Sequence, residues 1–195
     1  MDRDSIRLRP DDQAPPRATA YPQPQDPVDL RGLMTGFPTG VCVVTALDGA
    51  EPWGMTCTSL CSVALDPPTL LVCLREGSPT LAAVRASGAF AVNLLHDEAQ
   101  PSAELFASGA ADRFDRVHWE MPVDACGPHL VRSAHTVADC VVSDSSRVGD
   151  HVVTMGRVRR TTRLRSQQPL LYGLRRYATW PQAVDDSHRY FDHLD

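Results

Sequence analysis

Short apolar runs separated by Gly, Pro, Asp and Ser dominate the chain from about residue 41 onward. Val41–Ala46, Gly54–Val63, Thr69–Leu74, Phe90–Leu95, Val137–Ser143 and His151–Val158 are rich in Val, Leu, Thr and Cys, and Leu170–Tyr172 is a weaker run. Such lengths, with turn residues between them, predict strands. Many short strands with no repeat predict a mainly β domain, built as a closed or half-closed antiparallel barrel. Helical spacing is confined to three places. Leu30–Phe37 has apolar residues on one face. A second helix starts at Ser78-Pro79, where proline suits the first turn, and runs to Gly88. A third starts near Pro101-Ser102 and carries Leu105 and Phe106.

The ends of the chain differ. Residues 1–28 hold six of the 16 prolines and one aromatic residue, Tyr21. That composition cannot bury enough apolar surface to offset the entropy of ordering it. An arm at 1–28, one domain at 29–180 and a polar extension at 181–195 are expected.

Charge and residue usage narrow the chemistry. The net charge is -5 and the pI about 5.8, which argues against a broad basic nucleic-acid surface. All 19 basic residues are arginine. A Schiff-base lysine, a Walker-A lysine and a lysine general base are therefore excluded. No apolar run reaches the length of a membrane span. The start, Met-Asp-Arg-Asp, lacks a secretory apolar stretch, so a cytoplasmic location is expected. Six cysteines, at 42, 57, 61, 73, 126 and 140, show no C-x-x-C spacing and read as buried apolar residues rather than a disulfide framework. No metal site is expected.

Four stretches could carry chemistry. Gly54–Val63 reads as a strand but holds Thr56, Thr58, Ser59 and Ser62. As one strand it would put 56, 58, 60 and 62 on one face. Those hydroxyls either meet a polar ligand or face solvent on an edge. Gly77-Ser78-Pro79-Thr80 places hydroxyls and free N–H groups at a helix start, which suits a phosphate or an ordinary cap. Gly149-Asp150-His151 opens a strand with a titratable donor. Tyr172–Tyr177 sets aromatics beside Arg175 and Arg176, as for stacking on a nucleotide or as a solvated strand end.

In order along the chain, these pieces resemble the short-chain flavin reductase family. The resemblance covers Leu30 to Tyr177. It includes Gly36-Phe37-Pro38-Thr39-Gly40-Val41, Gly54-Met55-Thr56 with Ser59 and Ser62-Val63, Asp66-Pro67-Pro68, Phe90–Leu95, Leu105-Phe106-Ala107, Arg113-Phe114 with Trp119, Gly127–Leu130 and Gly149-Asp150-His151. It implies a homodimeric, flavin-binding split β-barrel. It also implies an NAD(P)H:flavin oxidoreductase that hands reduced flavin to a partner monooxygenase, with FAD (or FMN) and NADH (or NADPH) as the reacting pair.

Carried over by position, Thr56, Cys57, Thr58, Ser59, Ser62 and Val63 would line the flavin. Gly77, Ser78 and Pro79 would approach its phosphate. Asn93, Phe106 and Ala107 would lie nearby. His151 and Tyr177 would meet the nicotinamide nucleotide, His151 by orienting it. Cys57 stands where the family usually has Ala or Val, Arg175 where it has Gly, and the basic residue common near Gly77 is absent. A flavin carrier without reductase activity shares the same barrel. So does a pyridoxamine-phosphate-oxidase-like enzyme, against which the missing lysines count.

Overall fold

A computed structural model describes residues 28–180. The expected arm, through residue 27, and the C-terminal extension at 181–195 lie outside the described residues. The order is α1 (Leu30–Thr35), β1 (Thr39–Gly40), β2 (Cys42–Asp48), β3 (Glu51–Cys57), β4 (Cys61–Leu65), β5 (Pro68–Arg75), α2 (Pro79–Ser87), β6 (Ala89–Leu95), α3 (Gln100–Ser108), β7 (Ala134–Val148), β8 (His151–Arg163), β9 (Leu171–Gly173) and β10 (Arg176–Ala178). Seven strands form one antiparallel sheet, in the order β3-β2-β6-β7-β8-β5-β4, and β1-β9-β10 form a small second sheet.

The two outer strands of the large sheet, β3 and β4, are consecutive in the chain and joined only by residues 58–60. The sheet must therefore curl until its edges approach. Among the described residues no β3–β4 ladder closes it. Instead the Ser59 hydroxyl bridges the seam, accepting from the Cys73 N–H at 3.0 Å and donating to the Cys73 carbonyl at 3.3 Å. This is the half-closed barrel expected from the sequence.

The strand at 54–63 is a correction. It is two strands, because β2 begins at Cys42 and its ladder with β3 ends at the Cys42–Cys57 pair. Beyond Cys57 the backbone has no partner in β2 and crosses to β5. The common face of 56, 58, 60 and 62 therefore does not exist.

Strand β2 looks uniformly apolar because both its faces are covered. Cys42, Val44 and Ala46 join Val72, Leu74, Phe90, Val92 and Val152 in one core, into which α2 sends Leu81 and Val84. Val41 and Val43 join Leu95, Phe106, Phe114, Leu130 and Leu170 in a second core. Strands β7 and β8 run well past the predicted 137–143 and 151–158. Residues 143–148 are exposed on both faces, so the hydrophobic pattern stops before the ladder does.

Helix α2 forms where predicted. Ser78 Oγ accepts from the Leu81 N–H at 3.2 Å, Pro79 fills the first turn, and Gly88 ends the helix at φ 66°. Helix α1 is capped by Asp29 but buries no residue, leaving Leu33 and Phe37 exposed.

Candidate functional site

A cleft of about 390 Å³ opens between β3, the start of α2 and the end of α3. Its β3 wall is Trp53, Gly54, Met55 and Thr56. The α2 wall is Ser78, Pro79 and Thr80, with Arg75 at the end of β5. The third side is Phe106, Ala107, Gly109, Ala111 and Arg113. Five of the residues singled out in the sequence therefore meet in one place: Thr56, Ser78, Pro79, Phe106 and Ala107.

Local chemistry explains the placements. Thr56 Oγ1 donates to the Ala103 carbonyl of α3 at 2.6 Å, tying β3 to the helix that carries Phe106. Gly54 is needed for the same approach, since a Cβ there would sit 3.0 Å from the Phe106 ring. Gly77 takes φ 76° and turns the chain so that Ser78 can cap α2. Pro79 has no N–H and the Leu81 N–H is spent on Ser78, so the N–H of Thr80, which lines the cleft, is left without a side-chain cap.

Two arginines that the sequence reading did not single out as ligands supply the charge. Arg113 is 5% exposed. Its guanidinium stacks 5.5 Å from the Trp53 ring centroid, and Nη1 donates to the Ala110 carbonyl at 2.7 Å. Its Nε is buried with no partner among the described residues. Burial draws its pKa down, a sign that its charge is poorly compensated. Arg75 lines the same cleft, whose lining holds no carboxylate. Cations on two sides and a helix N-terminus together suit an anion. Arg75 comes from β5 and Arg113 from the loop after α3. Arg113 stands beside Phe114 in the sequence, but its ring partner is the distant Trp53, so spacing alone does not say which cleft it lines.

The remaining residues lie elsewhere. Thr58 and Ser59, past the end of β3, line a separate cavity of about 550 Å³ with Arg31, Phe37, Tyr172 and Arg175. Cys57, immediately before them, turns inward and is 5% exposed. Ser62 and Val63 sit on the exposed edge strand β4. Asn93 is fully buried and does not reach the cleft. Its amide donates to Val43, Thr45 and Pro128, and its oxygen accepts from the Leu130 N–H at 2.7 Å. It holds the loop before β7 onto β2 and β6.

His151 opens β8 directly opposite Arg75, one strand from the cleft rim, and bonds Asp150 at 2.9 Å. That bond holds the Asp150 carboxyl below its ordinary range. Tyr177 packs edge-on against Tyr172, a lining residue of the larger cavity, with ring centroids 5.1 Å apart. Burial, then Glu104 and Tyr172, push its pKa up. His151 and Tyr177 are not brought together within this chain. Arg175, where the resemblance has glycine, adopts φ 59° beside Leu174 at φ 51°. The turn demands the left-handed region and two non-glycine residues accept it at a cost of about 1 kcal/mol each.

Residues 34–181 match the family model described as Flavin reductase like domain. The chain is 52% identical over 153 residues to "Flavin reductase (NADPH)" of Lentzea aerocolonigenes, covering 78% of this chain and 89% of that protein. It is 34% identical to the flavin-dependent monooxygenase reductase subunit HsaB of Rhodococcus jostii, covering 75% and 74%. The solved Streptomyces globisporus NADH:FAD oxidoreductase SgcE6, in complex with NAD and FAD fragments, superposes with a TM-score of 0.73 at 33% identity, covering 79% and 93%.

Proposed function

The chain belongs to the flavin reductase like domain family, and from that premise we propose how its residues divide the work. The protein is an NAD(P)H-dependent flavin reductase that passes reduced flavin to a flavin-dependent monooxygenase. When bound, the flavin supplies N5 as the acceptor of a hydride from the nicotinamide. FAD is the preferred flavin in this reading, with FMN as the other candidate.

The observation that carries the assignment is the 390 Å³ cleft, which pairs an aromatic and hydroxyl wall with two guanidinium groups and no carboxylate. Arg113, Arg75 and the start of α2 hold the phosphate end. Trp53, Met55 and Phe106 give the apolar contact a flat ring needs. Thr58 and Ser59 lie further along the same chain segment and extend the binding surface toward the larger cavity. These groups bind and orient, and none is asked to move a proton.

Absorbance at 340 nm tests the activity directly: protein, FAD or FMN, and NADH or NADPH are mixed in air. Consumption of the nucleotide only when flavin is present supports the reading. Flavin bound with no consumption of either nucleotide leaves the carrier alternative standing.

His151 and its Asp150 partner orient the nicotinamide nucleotide from the rim next to Arg75. His151→Ala is therefore expected to raise the KM for NAD(P)H by about tenfold and to lower kcat, with flavin affinity unchanged. One lost hydrogen bond to a charged nucleotide accounts for that size. Steady-state kinetics with both parameters unaltered would remove His151 from the site.

A second copy of the chain is proposed to cover the apolar faces of α1 and β4, where Leu33 is 72% and Leu65 90% exposed. Sedimentation giving a monomer at micromolar concentration would reject this.

A further inference from the structure

We propose that Cys42 and Cys57 form a reversible, peroxide-sensitive disulfide across β2 and β3. The two residues are directly opposed in the antiparallel ladder. Opposed residues in such a ladder have Cα atoms about 4.5–5.5 Å apart, within the span that a disulfide bridges without moving the backbone. Both side chains point into the same core, so the two Cβ vectors lie on one side of the sheet. The Cys42 thiol already reaches the partner residue, its Sγ donating to the Cys57 carbonyl at 3.2 Å. Cys57 Sγ lies 3.1 Å from Ser59 Oγ.

The pair is also chemically unequal. Donation from the Cys42 thiol draws the Cys57 pKa well down. Burial opposes this, and the Ser59 hydroxyl with the N–H groups of Ser59 and Cys73 adds to the lowering. Cys42 is pushed up by the same bond and by burial. One sulfur is thus set to attack as thiolate and the other stays a protonated thiol beside it, the arrangement of an attacking and a resolving cysteine. The exposed Cys61 has no thiol partner of this kind.

The oxidant is hydrogen peroxide, which arises wherever reduced flavin is released into aerated solution. The Cys57 thiolate attacks one peroxide oxygen, the O–O bond breaks, and hydroxide leaves and takes a proton to become water. The sulfur of Cys42 then attacks the resulting sulfenic acid. The S–S bond forms, the S–O bond breaks, and the Cys42 proton leaves with the oxygen as a second water. Overall two thiols and one peroxide give one disulfide and two waters. The bond would pull Cys57 Sγ away from Ser59, the residue that both seals the seam at Cys73 and lines the larger cavity. Peroxide would thereby lower the enzyme's own flavin turnover.

The test treats the reduced, full-length protein with stoichiometric hydrogen peroxide in the absence of flavin, so it does not depend on the reductase reading. Free thiols are then alkylated after unfolding, and peptides are mapped by mass. The expected result is loss of two of the six thiols, a linked Cys42–Cys57 peptide pair about 2 Da lighter than the free peptides, and recovery with dithiothreitol. In Cys42→Ala the linked pair disappears and Cys57 accumulates as a sulfenic acid trapped by dimedone. Full alkylation of both Cys42 and Cys57 in the peroxide-treated wild-type protein, read after unfolding, overturns the proposal, as does linkage only among Cys61, Cys73 and Cys126. The wild-type map decides the matter even if the variant does not fold.

Discussion

Asp139→Ala is expected to lower the unfolding free energy by about 3 kcal/mol, because it strips a buried charge network of its centre. Asp139 is fully buried on β7. Its Oδ1 accepts from the Cys126 N–H at 2.7 Å and from His129 Nε2 at 3.0 Å. Its Oδ2 accepts from Arg160 Nε at 2.9 Å. One carboxylate thus fastens β8 and the 122–129 loop to β7. That loop also carries Gly127, where a Cβ would run into the Thr45 carbonyl oxygen, so the close approach that Asp139 secures leaves no slack. For a domain of this size the loss corresponds to a fall in Tm of roughly 6–12 °C. Asp139→Asn keeps the volume but turns one acceptor into a donor facing donors, so it too should destabilise, though less.

The pH dependence has a definite sign. Burial alone would raise the Asp139 carboxyl, but the bonds from His129, Cys126 and Arg160 win and hold it below its ordinary value. A carboxyl depressed in the folded state contributes stability that is present above the unfolded pKa, about 3.9, and is lost as the pH falls through the lower folded value. Denaturant midpoints measured from pH 6 down to pH 3 should therefore fall more steeply for the wild type than for Asp139→Asn. Parallel curves would mean that Asp139 is not held down in the folded protein.

How legible this was varies from element to element, for physical reasons. Strand β2, with Val41–Ala46, and strand β6, with Phe90–Leu95, could be read because their apolar density reflects burial on both faces. Helix α2 could be read because Ser78, Pro79 and Gly88 each leave a distinct chemical mark at a helix end. The break between β3 and β4 could not. Thr58, Ser59 and Leu60 have ordinary strand propensities, and what interrupts them is the end of the partner strand at Cys42, a property of the ladder. The polar half of the β7–β8 hairpin was invisible for the opposite reason: backbone pairing continues where burial has stopped.

Within the site, Thr56, Ser78, Pro79, Phe106 and Ala107 were picked by type and order and do meet in one cleft. Asn93 was picked the same way, yet its side chain is spent on Val43, Thr45, Pro128 and Leu130. Position in a motif does not distinguish a residue that touches a ligand from one that holds the wall upright. Arg113 was missed because its role depends on a stacking partner 60 positions earlier, at Trp53.

That stacked arginine makes the strongest functional prediction. Arg113→Gln is expected to weaken FAD and FMN binding by about 10–100-fold, the worth of a hydrogen bond to a charged group. Riboflavin, which has the ring but no phosphate, should bind the variant nearly as well as the wild type. The guanidinium is 5% exposed, pinned by Trp53 and the Ala110 carbonyl, its Nε is buried without a partner among the described residues, and the cleft that Arg113 lines has no carboxylate. Burying a cation so is costly unless an anion arrives to pair with it. Flavin fluorescence titrations with the three ligands separate charge from shape. An equal loss for riboflavin would mean that Arg113 acts by bracing Trp53. No loss for any of them would move the phosphate out of this cleft and toward Arg31 and Arg175 in the larger cavity.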